Sequence, residues 1–289
     1  MLKLVGDNPF NGVSHLSQEK AMSRDVNISD PKYAAKLVKI SLDNGADGFM
    51  FSISDVTLSI LRTLREEYST NTKLYAITPA AGESARNMGA SGGVEGLVKK
   101  SAKQAISSRN LKAMSMGIVG SASMNPDLLL RSFISLEISR IKAAAGKHAD
   151  IESLMLHEIV TDLALALDLD WLLASYIDFV NDLGIMPGFE TRNFVYLVRK
   201  FKAWNFDISK VSIAAPFNRI GFQMIPSQVD CENTLASLSN THVIAISVLA
   251  AGYLKPVDAC GYVKNLSNLN GIAVAVSNMH HAQETFRFF

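Results

Sequence analysis

A single unit recurs along the sequence and restricts the folds that this chain can adopt. It consists of a capped amphipathic helix, a glycine that stops the helix, and a short run of apolar residues. Asp30-Pro31 begins one such helix and Asn44-Gly45 ends it, directly before the apolar residues 46–52. Residues 125–158 and 170–190 repeat this order. The apolar runs are continuous, which is typical of parallel strands covered by helices, so the unit predicts alternating parallel strands and helices.

Nine apolar runs fit the strand half of this unit. They lie at residues 3–8, 48–52, 73–78, 111–117, 152–157, 185–190, 210–215, 242–247 and 271–277. We therefore predict an α/β fold of the (β/α)8 or TIM-barrel type, as a single domain over residues 1–289, because no linker divides the chain. The run 111–117 is the weakest and is an inserted strand or a helix edge; otherwise the first or last run lies outside the ring. A doubly wound open sheet is the alternative, although no GxGxxG motif follows the first run.

The overall composition narrows the class of ligand. The net charge is +1, from 28 basic and 27 acidic residues, which argues against nucleic-acid and membrane-surface partners and favours a small molecule. Neither a signal peptide nor a long apolar stretch is apparent, and Cys231 and Cys260 lack metal or disulfide spacing. We expect a cytoplasmic protein, and leave a homo-oligomer open.

Polar residues are predicted to converge at one mouth of the barrel. In this fold the carboxyl ends of all strands, and the loops that follow them, face the same side. The residues that fall there are Asp7, Asn8, Ser52, Ser54, Asp55, Thr78, His157, Glu158, Glu190, Thr191, Arg192, Asn218 and Ser247. We select His157, Glu158, Glu190 and Asp7 as candidate catalytic residues.

His157 and Glu190 follow consecutive strands, so their side chains could meet. An imidazole and a carboxylate can hold a divalent metal ion, or they can act as a general base and its orienting partner. The alternative is structural: His157 bonded to the backbone at a strand end, and Glu190 paired with Arg192. The spacing matches no fixed metal motif such as HExxH.

Other candidates at the mouth also have structural alternatives. Asp7 is a ligand or base, or belongs to an Asp-Asn-Pro turn, and Asp55 is expected to cap the next helix. Arg192 could grip a substrate carboxylate or simply pair with a glutamate. Asn8 and Asn218 complete the predicted substrate-binding set on this side.

The last two loops suggest an anion site. Small residues around Gly252 allow a ligand to approach the backbone, and Ser277 and Asn278 begin a final helix whose free N–H groups favour anions. Phosphate groups commonly bind at these loops in such barrels. The alternative is an ordinary turn at Gly252 and an ordinary helix cap at Ser277 or Asn278.

The C-terminal third resembles the aldo-keto reductases. Residues 243–254 and 271–286 are similar to the cofactor-phosphate end of that family, and residues 152–157 resemble its strand that ends in the active-site histidine, here His157. The chain departs from the family in two places. No Asp and Tyr pair follows residues 48–52 at the expected spacing, and Thr78-Pro79 stands where the family has its lysine.

A second resemblance spans most of the chain. Poorly characterised prokaryotic TIM-barrel proteins carry motifs similar to those at residues 8–12, 157–162, 187–191, 218–222 and 250–252. This resemblance implies a barrel with one mouth and no particular reaction. Here Arg192 replaces a histidine of that pattern, and Ser247 or Val248 replaces a lysine.

Three functions follow from these features. The first is an enzyme of the lyase, isomerase or hydrolase type that acts on a small anionic or phosphorylated metabolite, with a divalent metal as a candidate cofactor. The second is a nicotinamide-dependent reductase; the missing tyrosine and lysine weigh against it, and NADP is therefore a disfavoured cofactor. The third is a non-catalytic ligand-binding barrel, its mouth filled by side chains such as Phe10, Phe189 or Phe217.

Overall fold

The structure, a computed structural model, describes residues 1–11, 28, 30–79 and 125–289. Within these residues eight parallel strands form a closed barrel in chain order, with the last strand paired to the first. The strands are β1 (Leu2–Gly6), β2 (Gly48–Ser52), β3 (Lys73–Ile77), β4 (Ile151–Leu156), β5 (Met186–Glu190), β6 (Ser212–Pro216), β7 (His242–Ile246) and β8 (Gly271–Ala275). The predicted TIM barrel is confirmed. Both the first and the last predicted runs belong to the ring, and the run 111–117 lies outside the described residues.

Helices surround the ring. In the described part of the chain they are α1 (Pro31–Asp43), α2 (Asp55–Glu66), α3 (Pro126–Ala145), α4 (Glu158–Ala166), α5 (Asp170–Asp182), α6 (Phe194–Ala203), α7 (Gln228–Ala236), α8 (Pro256–Lys264) and α9 (Met279–Phe288). None of these helices is both long and apolar enough to cross a membrane.

The residues predicted to begin and to end α1 do so in the structure. The Asp30 side chain accepts a hydrogen bond from the backbone N–H of Lys32 at 3.0 Å, and it caps α1. Gly45 follows that helix with a φ of 104°, a conformation that favours glycine. The expectation that Asp55 caps α2 was wrong. The cap is Ser54, one residue earlier, because its hydroxyl group accepts a hydrogen bond from Thr57 N–H.

The apolar core has two layers. The larger layer lies between the strands and the helices, and the smaller one fills the barrel interior with Leu4, Met50, Ile77, Met155, Ala214 and Ile244. Gly188 on β5 also faces this interior, where a Cβ atom would lie 2.4 Å from Ser212 Oγ and 2.5 Å from Met155 Cγ. The barrel floor below the end of β5 is therefore closely packed.

Candidate functional site

A cavity of about 670 Å³ opens at the carboxyl ends of the strands. The predicted site residues that line it are Asp7, Asn8, His157, Glu158, Glu190, Arg192, Gly252 and Ser277. This volume falls in the range of small-molecule sites. The strand-end rule therefore brings residues from distant parts of the sequence to one cavity.

Glu190 is the last residue of β5, and its side chain faces the cavity. Its Oε2 accepts a hydrogen bond from the backbone N–H of Glu158 at 3.3 Å. Burial, followed by the negative charge of Glu158, raises the pKa of Glu190 to about 8; the charge of Asp7 adds to this rise, and Arg192 opposes it. Glu190 is therefore protonated up to a much higher pH than an ordinary glutamate.

Arg192 pairs with Glu158 rather than with Glu190. The Arg192 Nε atom lies 2.5 Å from Glu158 Oε2, and both side chains are partly buried. Glu158 begins α4 and Arg192 lies in the loop after β5, so the pair joins two neighbouring loops. The structural alternative for Arg192 was a salt bridge to a glutamate. Arg192 does form one, but its partner is Glu158 and not Glu190.

Asp7 has both of the roles that the sequence left open: it belongs to a turn, and it lines the cavity. Its backbone carbonyl accepts from Phe10 N–H at 2.8 Å, which closes the turn. Its buried carboxylate accepts from the backbone N–H of Ser52 at 2.8 Å and from Asn11 Nδ2 at 2.7 Å. Asn11 also accepts a hydrogen bond from Ser54, so the turn, the end of β2 and the cap of α2 are held together at the cavity wall.

His157 caps α4 while its ring lines the cavity. The Nδ1 atom of its ring accepts a hydrogen bond from Ile159 N–H at 3.2 Å, and the backbone N–H of His157 donates to Thr78 Oγ1 at 3.3 Å. In residues 1–11, 28, 30–79 and 125–289, no group of three or more His, Cys, Asp or Glu side chains is arranged to hold a metal ion. A metal ion held by His157 and Glu190 alone stays a prediction.

The loop that carries Arg192 is fixed from below by Asp162. Thr191 Oγ1 and Asn193 Nδ2 both donate to the Asp162 carboxylate, the second at 2.8 Å. Thr191 Oγ1 also accepts from Asn193 N–H at 2.9 Å. These bonds tie the end of β5 to α4 and thereby orient Glu190 and Arg192 toward the cavity.

The opposite side of the cavity consists of the loops after β7 and β8. Ala251 and Gly252 line it in the left-handed backbone region, with φ values of 60° and 89°. Ser277 contacts His281 Nδ1 at 3.1 Å, and Asn278 caps α9 by accepting from His281 N–H at 2.8 Å. Burial, with the charge of His280, lowers the pKa of His281. Asn278 itself does not line the cavity.

Asn218 also lies outside the cavity. Its side chain makes two hydrogen bonds of 2.8 Å with the backbone of Phe222, one as donor and one as acceptor, and so shapes the loop after β6. That loop delivers Gln223 to the cavity, where its Oε1 accepts from Ser247 Oγ at 3.3 Å. Gln223 could not be predicted from the sequence, because its position depends on the path of the loop and not on a strand end.

The aromatic residues expected to fill a non-catalytic mouth lie elsewhere. Phe10, Phe189 and Phe217 are each at most 1% exposed and belong to the core between strands and helices. The cavity at the strand ends is lined mainly by polar and small side chains. The expectation that these three rings fill the mouth of the barrel is therefore wrong.

Comparison with known proteins gives a match in fold. No protein-family model matches the chain, and no curated protein matches it. Two solved structures of candidate aldo-keto reductases from Pseudomonas aeruginosa match it, each with a TM-score of 0.56 and 12% sequence identity, over 99% of this chain and 88% of the other. The chain thus has the barrel fold of these proteins and bears a distant resemblance to aldo-keto reductases.

This comparison corrects the function expected first. A lyase, isomerase or hydrolase acting on a small anionic metabolite was the leading expectation, and it is wrong, because the structural neighbours are candidate aldo-keto reductases. They favour the reductase alternative instead. The chain is similar to these reductases in fold, and its site chemistry has to be argued from its own residues.

Proposed function

We propose that this barrel is a nicotinamide-dependent reductase of carbonyl compounds in which Glu190 donates the proton. The observation that carries the proposal is the carboxyl group of Glu190 at the wall of a cavity large enough for a small molecule, where burial raises its pKa. A general acid works best when its pKa lies near the working pH, and the pKa of Glu190 is about 8.

Reduction of a carbonyl group requires a hydride at carbon and a proton at oxygen. Hydride transfer to the carbon is the chemistry that a bound, reduced nicotinamide supplies. Glu190 gives its proton to the carbonyl oxygen, and the O–H bond of the carboxyl group breaks as the O–H bond of the product alcohol forms. The backbone N–H of Glu158 already donates to Glu190 Oε2, so it stabilises the carboxylate that remains.

Glu190 takes a task that tyrosine performs in the aldo-keto reductases. No tyrosine lines the cavity in the part of the chain that the structure describes. Tyr75 points into the barrel interior with the apolar floor, and burial raises its pKa to about 12, which disfavours ionisation. A buried carboxyl group is a stronger acid than such a phenol, so it needs no neighbouring lysine to donate a proton near neutral pH.

The residues on the β7 and β8 side fit the phosphate groups of a nicotinamide cofactor. Gly252 and Ala251 leave the backbone accessible, Ser277 contributes a hydroxyl group, and α9, whose start favours an anion, begins two residues after Ser277. On this side, the described lining residues include no carboxylate. The Glu158 carboxylate lies across the ring, at the start of α4, whereas Asp7 follows β1, which pairs with β8.

The proposal is tested by titrating the protein with NADH and with NADPH while following nicotinamide fluorescence. We expect saturable binding of at least one cofactor below millimolar concentration, and oxidation of that cofactor when para-nitrobenzaldehyde is added. The Glu190→Gln variant should bind the cofactor with unchanged affinity and turn over far more slowly. Absence of binding of both cofactors at millimolar concentration would refute the proposal.

A further inference from the structure

We infer that Asp162 is a positioning residue for Glu190: it holds α4 against the loop after β5, so that the backbone N–H of Glu158 stays at the Glu190 carboxyl group. The inference rests on the proposed function, because it names the residue on which the placement of the proton donor depends. Asp162 lies in α4, one helical turn after Glu158, and the strand-end rule does not select it. Its basis is a series of hydrogen bonds that runs from the barrel ring to Glu190.

Thr191 is the fixed point of this series. Its backbone N–H donates to the carbonyl group of Ala214 on β6 at 3.0 Å, which ties the residue into the ring. Thr191 is fully buried, and its hydroxyl group donates to the Asp162 carboxylate. The same oxygen accepts from the backbone N–H of Asn193 at 2.9 Å. The position of the Asp162 carboxylate is therefore set by the ring and not by α4 alone.

The Asp162 carboxylate uses both of its oxygen atoms on the loop after β5. Its Oδ1 atom accepts from the Thr191 hydroxyl group, and its Oδ2 atom accepts from Asn193 Nδ2 at 2.8 Å. Hydrogen bonds to a charged group are stronger than those between neutral groups. Asp162 thus joins α4 firmly to the loop residues on either side of Arg192.

The helix carries this fixed position to Glu190. Glu158 and Asp162 are four residues apart in α4, so they lie on the same face of the helix, and both contact the loop after β5. At the start of α4 the backbone N–H of Glu158 donates to Glu190 Oε2 at 3.3 Å. Because a helix is a rigid element, a shift of Asp162 relative to the ring also moves this N–H relative to Glu190.

The Glu158–Arg192 salt bridge is a second link between α4 and the loop, and it is the weaker one. The two side chains are 20% and 31% exposed, so water and salt weaken their attraction. Arg192 also lies between Thr191 and Asn193, so its backbone takes its position from the two residues that Asp162 binds. The placement of Glu190 therefore depends on Asp162 more than on this salt bridge.

The consequence is that loss of Asp162 should lower turnover and leave cofactor binding intact. In Asp162→Ala the Thr191 hydroxyl group and the Asn193 amide lose their acceptor, so α4 can move away from Glu190. A misplacement of about 1 Å at a reacting group can lower kcat by about a hundredfold. The cofactor side at β7 and β8 is formed by other residues, so KM for the cofactor should be unchanged.

A double-mutant cycle tests whether Asp162 acts through Glu190. Asp162→Ala should lower kcat for para-nitrobenzaldehyde by about ten- to a hundredfold in the natural chain, and it should cause no further loss in Glu190→Gln. Asp162→Asn keeps an acceptor oxygen for one of the two donors and should recover part of kcat. An equal loss in both backgrounds would indicate a general structural role and would overturn the inference.

Asp168→Asn is the matched control. Asp168 lies in the turn after α4 and forms a salt bridge with Lys200 of α6. Asparagine tolerates the left-handed conformation of this position, where φ is 54°. The variant removes a carboxylate next to the same helix, and it should keep the kcat of the natural chain in both backgrounds.

Hydrogen exchange of the Glu158 amide separates this inference from the proposed function, because it needs no turnover. We expect this amide to exchange at least about tenfold faster in Asp162→Ala than in the natural chain. The amide of Phe217, which donates to Ile246 between β6 and β7, should keep its rate. Asp162→Asn serves in the same measurement, with a smaller increase, if Asp162→Ala does not fold.

The two possible failures then differ. If the Glu158 amide alone accelerates while no aldehyde is reduced, the reductase proposal fails and Asp162 still positions Glu190. If the Glu158 amide keeps its rate, or if the amides of Glu158 and Phe217 accelerate equally, the inference is overturned, whatever the turnover.

Discussion

The two sides of the cavity differ in the chemical character of the residues that line them. The side formed by β4 and β5 carries ionisable groups that are held by hydrogen bonds: Glu190 by the Glu158 backbone, and Glu158 by Arg192. Asp7, which is held by Ser52, follows β1, the neighbour of β8. The side formed by β7 and β8 carries small residues, open backbone and the start of α9. Under the proposed function, the first side supplies the proton and the second side binds the cofactor.

This division follows from what each task requires. A proton donor needs a fixed position and a controlled pKa, which burial and neighbouring charges supply. A phosphate group needs N–H donors and room, which glycine, small residues and helix starts supply. A substitution on one side therefore leaves the other side as a reference.

The largest effect is expected for Glu190→Gln. Removing the proton donor should lower kcat for aldehyde reduction by about 10²–10⁴-fold, the usual contribution of a general acid, while cofactor affinity stays unchanged. Steady-state kinetics and a cofactor titration measure the two quantities. Glu66→Gln, at an exposed position on α2, is the matched control and should keep full activity. Equal loss of cofactor affinity in Glu190→Gln would break the division between the two sides.

The second-largest effect is expected for the dependence of the free energy of unfolding on pH. In the folded state the pKa of Glu190 is about 8, whereas an unfolded glutamate titrates near about 4.3. The folded state therefore binds more protons between these values. Its free energy of unfolding should fall as the pH rises from about 4.3 to about 8, by at most about 1.4 kcal/mol per pH unit, and should then level off. Urea unfolding of the natural chain against Glu190→Gln isolates this contribution, because the variant lacks the titrating group; parallel curves for the two proteins would contradict it.

Gly188→Ala tests the floor below the acidic side. The added Cβ would lie 2.4 Å from Ser212 Oγ and 2.5 Å from Met155 Cγ, so overpacking should lower the free energy of unfolding by about 1–3 kcal/mol. Gly261→Ala on α8 is the control: no atom lies within 4 Å of its added Cβ. Because alanine favours a helix over glycine, that variant should gain about 0.5–1 kcal/mol. Equal stability of the two variants in urea would contradict the close packing.

The smallest effect is expected on the β7 and β8 side. Asn278→Ala removes the cap of α9 and should lower the free energy of unfolding by about 1 kcal/mol, with a severalfold rise in KM for the cofactor and little change in kcat. Ser227→Ala removes a comparable cap, that of α7, a helix of which no residue lines the cavity, whereas His281 of α9 does. It should lose similar stability without any change in KM. A matching rise in KM for both variants would remove the cofactor role of α9.

The fold could be predicted because its determinants are local. Helix caps such as Asp30 and Asn125, and stops such as Gly45 and Gly146, act within a few residues, so the order of strands and helices can be read from the sequence. The strand-end rule then placed Asp7 and Glu190 at the same mouth. The cap of α2 was assigned one residue late, because Ser54 and Asp55 are both good capping residues and geometry selects between them.

The chemistry of the site was harder to predict, since it depends on distances between elements. Arg192 and Glu190 are close in sequence, but Arg192 contacts Glu158 of α4 instead. The protonation of Glu190 depends on burial and on the charges of Asp7 and Glu158, which no local pattern reveals. The first expectation of a lyase, isomerase or hydrolase came from the types of residue at the mouth, and residue type does not report protonation state.

The pH profile of kcat for reduction of para-nitrobenzaldehyde, in the natural chain and in Glu190→Gln, tests the central claim most directly. If Glu190 donates the proton, kcat of the natural chain is constant at low pH and falls tenfold per pH unit above a pKa of about 8, and this fall is absent in the variant. The claim is contradicted if neither nicotinamide is oxidised at any pH, or if both proteins share the same decline.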